Sequence, residues 1–216
     1  AQVEGIFISH EHSDHIAGLQ QLLKRFDIPV YTKQGTWREI QDKLVVPKNQ
    51  LIELTKGSLS LGNLIVEPFA VSHDAADPIG INVFSGKDKA TVVTDTGIIS
   101  DDILHRIDDS TLLVLEANYD PHMLRFGPYQ PFLKQRVDSD EGHLSNEMAA
   151  QALLMMKRPD FMQVILAHRS ENNNNAVLVT QTIGKMLVDG GVRIGPEMKL
   201  QHGQPNEIVS MQSIKR

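Results

Sequence analysis

Four side chains able to ligate a metal, His10, His12, Asp14 and His15, fall within one short stretch, VEGIFISHEHSDHIAGL. Imidazole nitrogens and carboxylate oxygens suit first-row divalent ions such as zinc or manganese. Residues 10 and 12 alternate on an extended backbone and face the same way. Residues 14 and 15 follow as the chain turns into a helix from Ile16, so two pairs of ligands address two neighbouring points. A lone histidine carries no such weight, because imidazoles are common in cores and on surfaces. The repetition is what points to a binuclear metal site rather than an accidental cluster.

Elements must bring these groups together. Val3 to Ile8 reads as a short buried strand, so the histidines begin where a strand ends. In layered α/β proteins the carboxyl ends of strands carry the loops that hold ligands. The same pattern recurs three times, as AVSH ends on His73, VVTD on Asp95 and VILAH on His168. Around these, Ile16 to Phe26 has amphipathic helix spacing, Val30 to Thr32 reads as a strand, and Trp37, Ile40 and Leu44 suggest a second helix. From Leu51 the texture is a run of antiparallel strands, with turns at Gly62-Asn63 and at Gly-Lys-Asp-Lys from residue 86. Ser100 caps a helix to Ile107, Thr111 to Ala117 is a strand, and the proline-punctuated stretch 119–141 holds short helices. Ser145 opens a further helix, Phe161 to Ala167 is a buried strand, and Ala176 to Val188 is a helix. Strands around Met198 to Gln201 and Glu207 to Met211 follow. The mixture is α/β (α+β), with no repeat and no linker, so residues 1–216 are read as one domain.

The composition narrows the chemistry. Among 216 residues there is no cysteine, which excludes disulfides, thiolate metal sites and cysteine nucleophiles. No apolar run is long enough to cross a bilayer and no leader pattern opens the chain, so no membrane partner is expected and the cytoplasm is the default compartment. A net charge of −6 argues against an evenly basic nucleic-acid surface, although two bound divalent ions would offset part of it. Arg125, Lys134 and Arg136 concentrate positive charge in one segment. Lys134 and Arg136 are candidates for backbone phosphate contacts, with a solvated helix face as the equal alternative.

The motif HEHSDH matches the HxHxDH signature of the metallo-β-lactamase-fold hydrolases, and His73, Asp95 and His168 follow in the order of that superfamily's later motifs. Within it, EANYD, FLKQRVDSDEGHLSNE and LAHRSENN resemble the YycJ-like (WalJ) group over essentially the whole chain. The resemblance implies a four-layer αββα sandwich with its site at one edge of the packed sheets. It also implies that the strands usually upstream of HxHxDH are missing here, leaving apolar sheet surface and an edge exposed. Positions such as His10, His12 and His73 would hold one metal, Asp14, His15 and His168 the other, and Asp95 would bridge them. Two such ions, about 3.5 to 4 Å apart, share a hydroxide that is nucleophilic near neutral pH. The implied function is a 5′ to 3′ exonuclease on double-stranded DNA, linked to repair, with nucleic acid as its substrate.

Glu116 and the Gly142-His143 pair resemble the proton-transfer pair of the superfamily's tRNA 3′-processing branch. His143 is then the candidate general acid for the leaving oxygen and Glu116 orients it, while Asp14 joins the catalytic group as well as the ligand set. The alternative is a helix-capping histidine with a surface glutamate. His143 precedes the helix that opens at Ser145, whose N-terminal groups, the Ser145 hydroxyl included, are a weaker phosphate candidate. Two rival functions remain in view. One is a small-molecule hydrolase of the same fold, acting on a cyclic phosphodiester or a thioester. The other is a non-catalytic module that keeps metals for folding. His105, His122 and His202 read as surface residues, and Asn172 to Asn175 as loop and helix cap.

Overall fold

The structure, a computed structural model, describes residues 3–55, 57–204 and 208–209. Two sheets carry the chain. In the first, β1 (Ile6–Phe7), β2 (Val30–Thr32) and β3 (Leu51–Glu53) run parallel in that order. The helices α1 (Ser13–Ile16), α2 (Leu19–Leu23) and α3 (Gln34–Ile40) make the crossovers. The second sheet holds seven strands in the order of the chain. These are β4 (Leu59–Leu61), β5 (Leu64–Ala70), β6 (Ile79–Ser85), β7 (Asp88–Val93), β8 (Leu112–Glu116), β9 (Met162–Ala167) and β10 (Met198–His202). Strands β4 to β7 pair antiparallel and β7 to β10 parallel. The helices between the later strands are α4 (Asp101–Ile107), α5 (Pro121–Phe126), α6 (Pro131–Val137), α7 (Asn146–Met155) and α8 (Ala176–Asp189).

Side-chain alternation sorts these elements into four layers. On β2, Val30 turns to a cluster with Ile8, Ile16, Leu19 and Ile40 under the first helices. Its neighbour Tyr31 turns the other way, to meet Leu54 and Ile79 between the two sheets. The largest core lies on the far face of the second sheet, where Leu113, Leu115 and Val164 meet Leu153, Ile183 and Leu187 of α7 and α8. No described helix is long and apolar enough to cross a membrane.

Three sequence expectations change. The helix expected over Ile16 to Phe26 is two short pieces, because Gly18, which favours helix poorly, stands between α1 and α2. Strand β3, expected to open the antiparallel run, instead lies parallel to β2 in the other sheet. It follows the crossover helix α3, and a strand returning from a helical crossover joins its predecessor in parallel. Of the strand expected over Glu207 to Met211, residues 207, 210 and 211 lie outside the described residues, and 208–209 form no strand.

Candidate metal centre and active cleft

The candidate ligands follow strand ends, except Asp14 and His15, which the helix after β1 carries. After β1, Ser9 accepts a hydrogen bond from Ile79 N at 3.1 Å, which fastens the start of the histidine loop to β6. His10 is buried, His12 takes an extended backbone at the start of α1, and α1 carries Asp14 and His15. His10 Nε2 lies 3.0 Å from His12 Nδ1, and His73 Nε2 lies 3.2 Å from the same atom, so three ring nitrogens converge. Asp14 Oδ2 is 3.5 Å from His15 Nε2 and 3.7 Å from His168 Nε2. Asp95 stands between these groups, with Oδ1 3.5 Å from His168 Nε2 and 3.8 Å from His73 Nε2, and Oδ2 3.4 Å from His15 Nε2.

Two of these positions hold the chain in an unfavourable conformation. Asp95 and His168, each directly after a strand or one residue beyond it, have φ of 57° and 52°. The left-handed region costs a non-glycine residue on the order of 1 kcal/mol, a strain that persists only where surrounding packing enforces it. Both follow strands anchored in the main core.

The residues fit a pair of divalent ions. Asp95 Oδ2 is buried without a hydrogen-bond partner among the described residues, which is costly for a carboxylate oxygen unless a cation meets it. Burial and the neighbouring His15, His73 and His12 lower the His10 pKa to about 3, so its ring is neutral, the form that binds metal. The far nitrogens are engaged as well. Ser9 Oγ lies 3.1 Å from Nδ1 of both His10 and His15, and His73 Nδ1 lies 3.1 Å from the carbonyl oxygens of Glu141 and Gly142. Such outer contacts fix ring orientation and tautomer and leave Nε2 for the ion.

Glu116 ends β8 and is fully buried. Its Oε1 accepts from His143 Nδ1 at 2.8 Å and from His168 Nδ1 at 2.7 Å, while Oε2 accepts from Thr96 N at 3.2 Å and Leu144 N at 3.1 Å. Burial alone would raise this carboxyl, but the two imidazoles outweigh it and hold the pKa down to about 2. For His168 burial opposes the charged ring, and the Glu116 hydrogen bond and charge nevertheless raise it to about 9. The sequence reading gave Glu116 one partner, His143. The structure gives it two, His143 and His168. Gly142 makes this possible, because a Cβ there would lie 2.3 Å from the carbonyl oxygens of Arg136 and Val137. Among the described residues His143 Nε2 makes no hydrogen bond, and its side chain is one-fifth exposed.

A cleft of about 1090 Å³ opens over these groups, and His12, Asp14, His143, Tyr129, Arg136 and Arg169 are among its walls. The weaker phosphate candidates are corrected here. Lys134 Nζ donates to Arg125 O at 2.8 Å and does not line the cleft. Arg136 does line it, but its guanidinium is engaged by both oxygens of Asp74. Ser145 is buried and its hydroxyl caps α7 by accepting from Met148 N at 3.2 Å. His202, read as a surface residue, is half-buried and meets Thr180 Oγ1 at 2.9 Å. Four residues escaped the sequence reading. Ser9 orients two histidines, Asp74 lies 3.5 Å from His73 Nε2, and Asn118 Nδ2 donates to His168 O at 2.7 Å. Arg169 presents a buried Nη1 without a partner among the described residues. Only the adjacency of Ser9, Asp74 and Arg169 to ligand histidines marked them in the chain.

A family model for the beta-lactamase superfamily domain matches residues 1–168. The chain belongs to the metallo-β-lactamase superfamily. Within it, the chain is 34% identical over 214 residues to exodeoxyribonuclease YycJ of Bacillus anthracis, covering 98% of this chain and 81% of that protein. It is 30% identical over 217 residues to exodeoxyribonuclease WalJ of Streptococcus pneumoniae, covering 98% and 80%. Among solved structures, the metallo-beta-lactamase fold protein YhfI from Bacillus subtilis aligns with a TM-score of 0.67 at 16% identity, over 92% of this chain and 75% of that one. The YycJ/WalJ resemblance and the αββα fold expected from the sequence therefore hold. The chain is a metallo-β-lactamase-fold hydrolase, a fold that implies divalent metal ions.

Proposed function

We propose that this hydrolase is a binuclear metal-dependent phosphodiesterase, and specifically an exodeoxyribonuclease that degrades duplex DNA from 5′ to 3′. The DNA-end reading carries with it the repair role and cytoplasmic site of action expected from the sequence. The observation that carries the reading is the shared carboxylate. Glu116 holds His143 and His168 on one oxygen, at 2.8 and 2.7 Å, so a proton-carrying imidazole stands beside the ligand cluster in fixed relation to it.

His10, His12 and His73 would hold one ion and Asp14, His15 and His168 the other, with Asp95 between them. When bound, the ions supply Lewis-acid charge for a phosphoryl oxygen and an activated water. The chain's own groups do the rest. Because an ionised carboxylate only accepts, His143 donates through Nδ1 to Glu116, and in the doubly protonated ring Nε2 carries the second proton, which passes to the leaving oxygen and leaves a neutral imidazole. An alkoxide leaving group of a nucleotide needs that proton, whereas a thioester does not need it to the same degree. The pair thus favours phosphodiester over thioester chemistry. The names of the YycJ and WalJ relatives support DNA as the polymer.

The test is a substrate panel for protein loaded separately with zinc and manganese. It contains duplex DNA labelled at either end, single-stranded DNA, RNA and a cyclic ribosyl phosphate ester. Mononucleotide release from the 5′ end of the duplex is the expected result. Faster turnover of the cyclic ester, with the duplex intact, would replace this reading by the small-molecule one.

A further inference from the structure

The segment from Pro121 to Val137 differs from the rest of this acidic chain. It carries Arg125, Lys134 and Arg136, interleaved with Phe126, Tyr129 and Phe132, and contains no Asp or Glu, whereas the whole chain has a net charge of −6. The acids that flank it are engaged, Asp120 by Met123 N at 2.8 Å and Asp138 by the Tyr119 hydroxyl at 2.6 Å. The segment folds as α5 and α6 around a small core of its own, made by Leu124 and Val137 with Tyr119 and Tyr129. That core does not use Phe126 or Phe132, which are 68% and 67% exposed, the most exposed aromatics among the described residues. The Arg125 guanidinium lies 5.5 Å from the Phe126 ring centre.

This surface joins the cleft. Phe132 and Arg136 are four residues apart on α6 and so share a face, and Arg136 and Tyr129 line the cleft. The base of the helical pair is fastened beside the cleft, where Asp120 N donates to Asn173 O at 2.9 Å and Gly127 passes so close that a Cβ would meet Asn173 Oδ1 at 2.7 Å, Asn173 lying between the cleft-lining Asn172 and Asn174.

We infer that α5 and α6 form a stacking platform for unpaired bases of the strand whose phosphodiester enters the cleft. Phe126 and Phe132 take base faces, and Arg125, whose guanidinium lies beside the Phe126 ring, supplies positive potential for the flanking phosphates. Exposed phenyl rings in a basic segment that has no acid of its own match a nucleotide strand, which offers flat apolar faces and anionic links in alternation. Bases inside a duplex stack on one another, so the platform takes nucleotides that are already unpaired at an end. The inference rests on the phosphodiesterase reading and deepens it.

The test uses the full chain with metal, the double variant Phe126→Ala/Phe132→Ala and the aromatic restoration Phe126→Trp/Phe132→Trp. The probe is a phosphorothioate single strand with 2-aminopurine near its 5′ end. Stacking on one aromatic ring accounts for roughly a fivefold to hundredfold difference in affinity. The alanine variant should therefore bind the probe at least tenfold more weakly and lose the 2-aminopurine quenching, and the tryptophan variant should restore both. Its kcat/KM on overhang DNA, divided by that on a small nitrophenyl phosphodiester, should fall by at least tenfold through KM. Equal binding and quenching in wild type and alanine variant would overturn the platform while leaving the nuclease reading intact. So would a wild-type dimer that the alanine variant converts to monomer, since the rings would then form a protein interface. A wild-type protein that neither binds nor cleaves any nucleic acid would remove both readings together.

Discussion

The two halves of the candidate site are built in different ways. His10, His12, Asp14 and His15 come from one short stretch, a loop after a two-residue strand and the four-residue helix that follows it. Asp95, Glu116, His143 and His168 come from four places in the chain, three of them at ends of neighbouring strands in the seven-stranded sheet. Groups adjacent in sequence converge through local backbone geometry alone and need only a light frame. Groups tens of residues apart converge only if strand register is held by a packed core, and there Leu113, Leu115 and Val164 are fully buried. The left-handed residues Asp95 and His168 both lie in this second half, where packing can enforce their strain.

The contrast predicts where the molecule breaks. The largest effect on stability belongs to Glu116→Ala. It leaves two buried backbone N–H groups and two part-buried imidazoles without their acceptor, and breaking a charged network around a fully buried carboxylate costs about 3–5 kcal/mol. Urea unfolding of the metal-free protein measures it, and a loss under about 1 kcal/mol would mean that the frame does not depend on this carboxylate. Next, Asp95→Ala should lose most metal from at least one position, because one carboxylate reaches groups on both sides of the cluster. Metal analysis after dialysis decides this, and unchanged stoichiometry and affinity would reduce Asp95 to a strained strand end. In the local half, Ser9→Ala frees the far nitrogens of His10 and His15 and should weaken metal binding by roughly 10–100-fold with little change in fold stability. Competition titration against a chelator and a thermal scan separate the two quantities.

A smaller effect is the pH dependence of the chelated protein. His168, raised to about 9, contributes stability that is full below 6.5 and is lost as pH rises through 9. His10, lowered to about 3, resists protonation in the fold, so stability falls as pH drops from 6.5 toward 3. Glu116 contributes above its ordinary 4.5 and loses that contribution as pH falls toward 2. Urea midpoints should thus peak near pH 6.5 and decline on both sides. A flat profile from pH 5 to 9 would contradict these shifts.

The same contrast explains what the sequence could show. The local half was legible because HEHSDH places its ligands in adjacent positions, where alternation fixes their directions. The strand-end rule found His73, Asp95 and His168, since a buried run that stops at a ligand-type residue marks its own carboxyl end. Partners were not legible. Nothing in EANYD tells that Glu116 reaches His168 as well as His143, because that contact depends on the register of β8 beside β9. Nor does FLKQR reveal that Lys134 turns to a backbone carbonyl and that Arg136 meets Asp74, since a sequence gives charge without direction. Strand β3 was assigned to the wrong sheet for a related reason, as its composition suits either neighbour and the α3 crossover decides.

The central claim is that His143 protonates a phosphodiester leaving oxygen while Glu116 ties it to the metal side of the site. The most direct measurement compares His143→Ala with wild type on DNA and on a nitrophenyl phosphodiester, whose leaving group needs no proton, with metal content measured in both proteins. The account predicts full metal content, a loss of roughly a hundredfold or more on DNA, and nearly normal cleavage of the activated ester. An equal loss on both substrates, with both metals in place, would contradict it and leave His143 as a phosphate-binding residue.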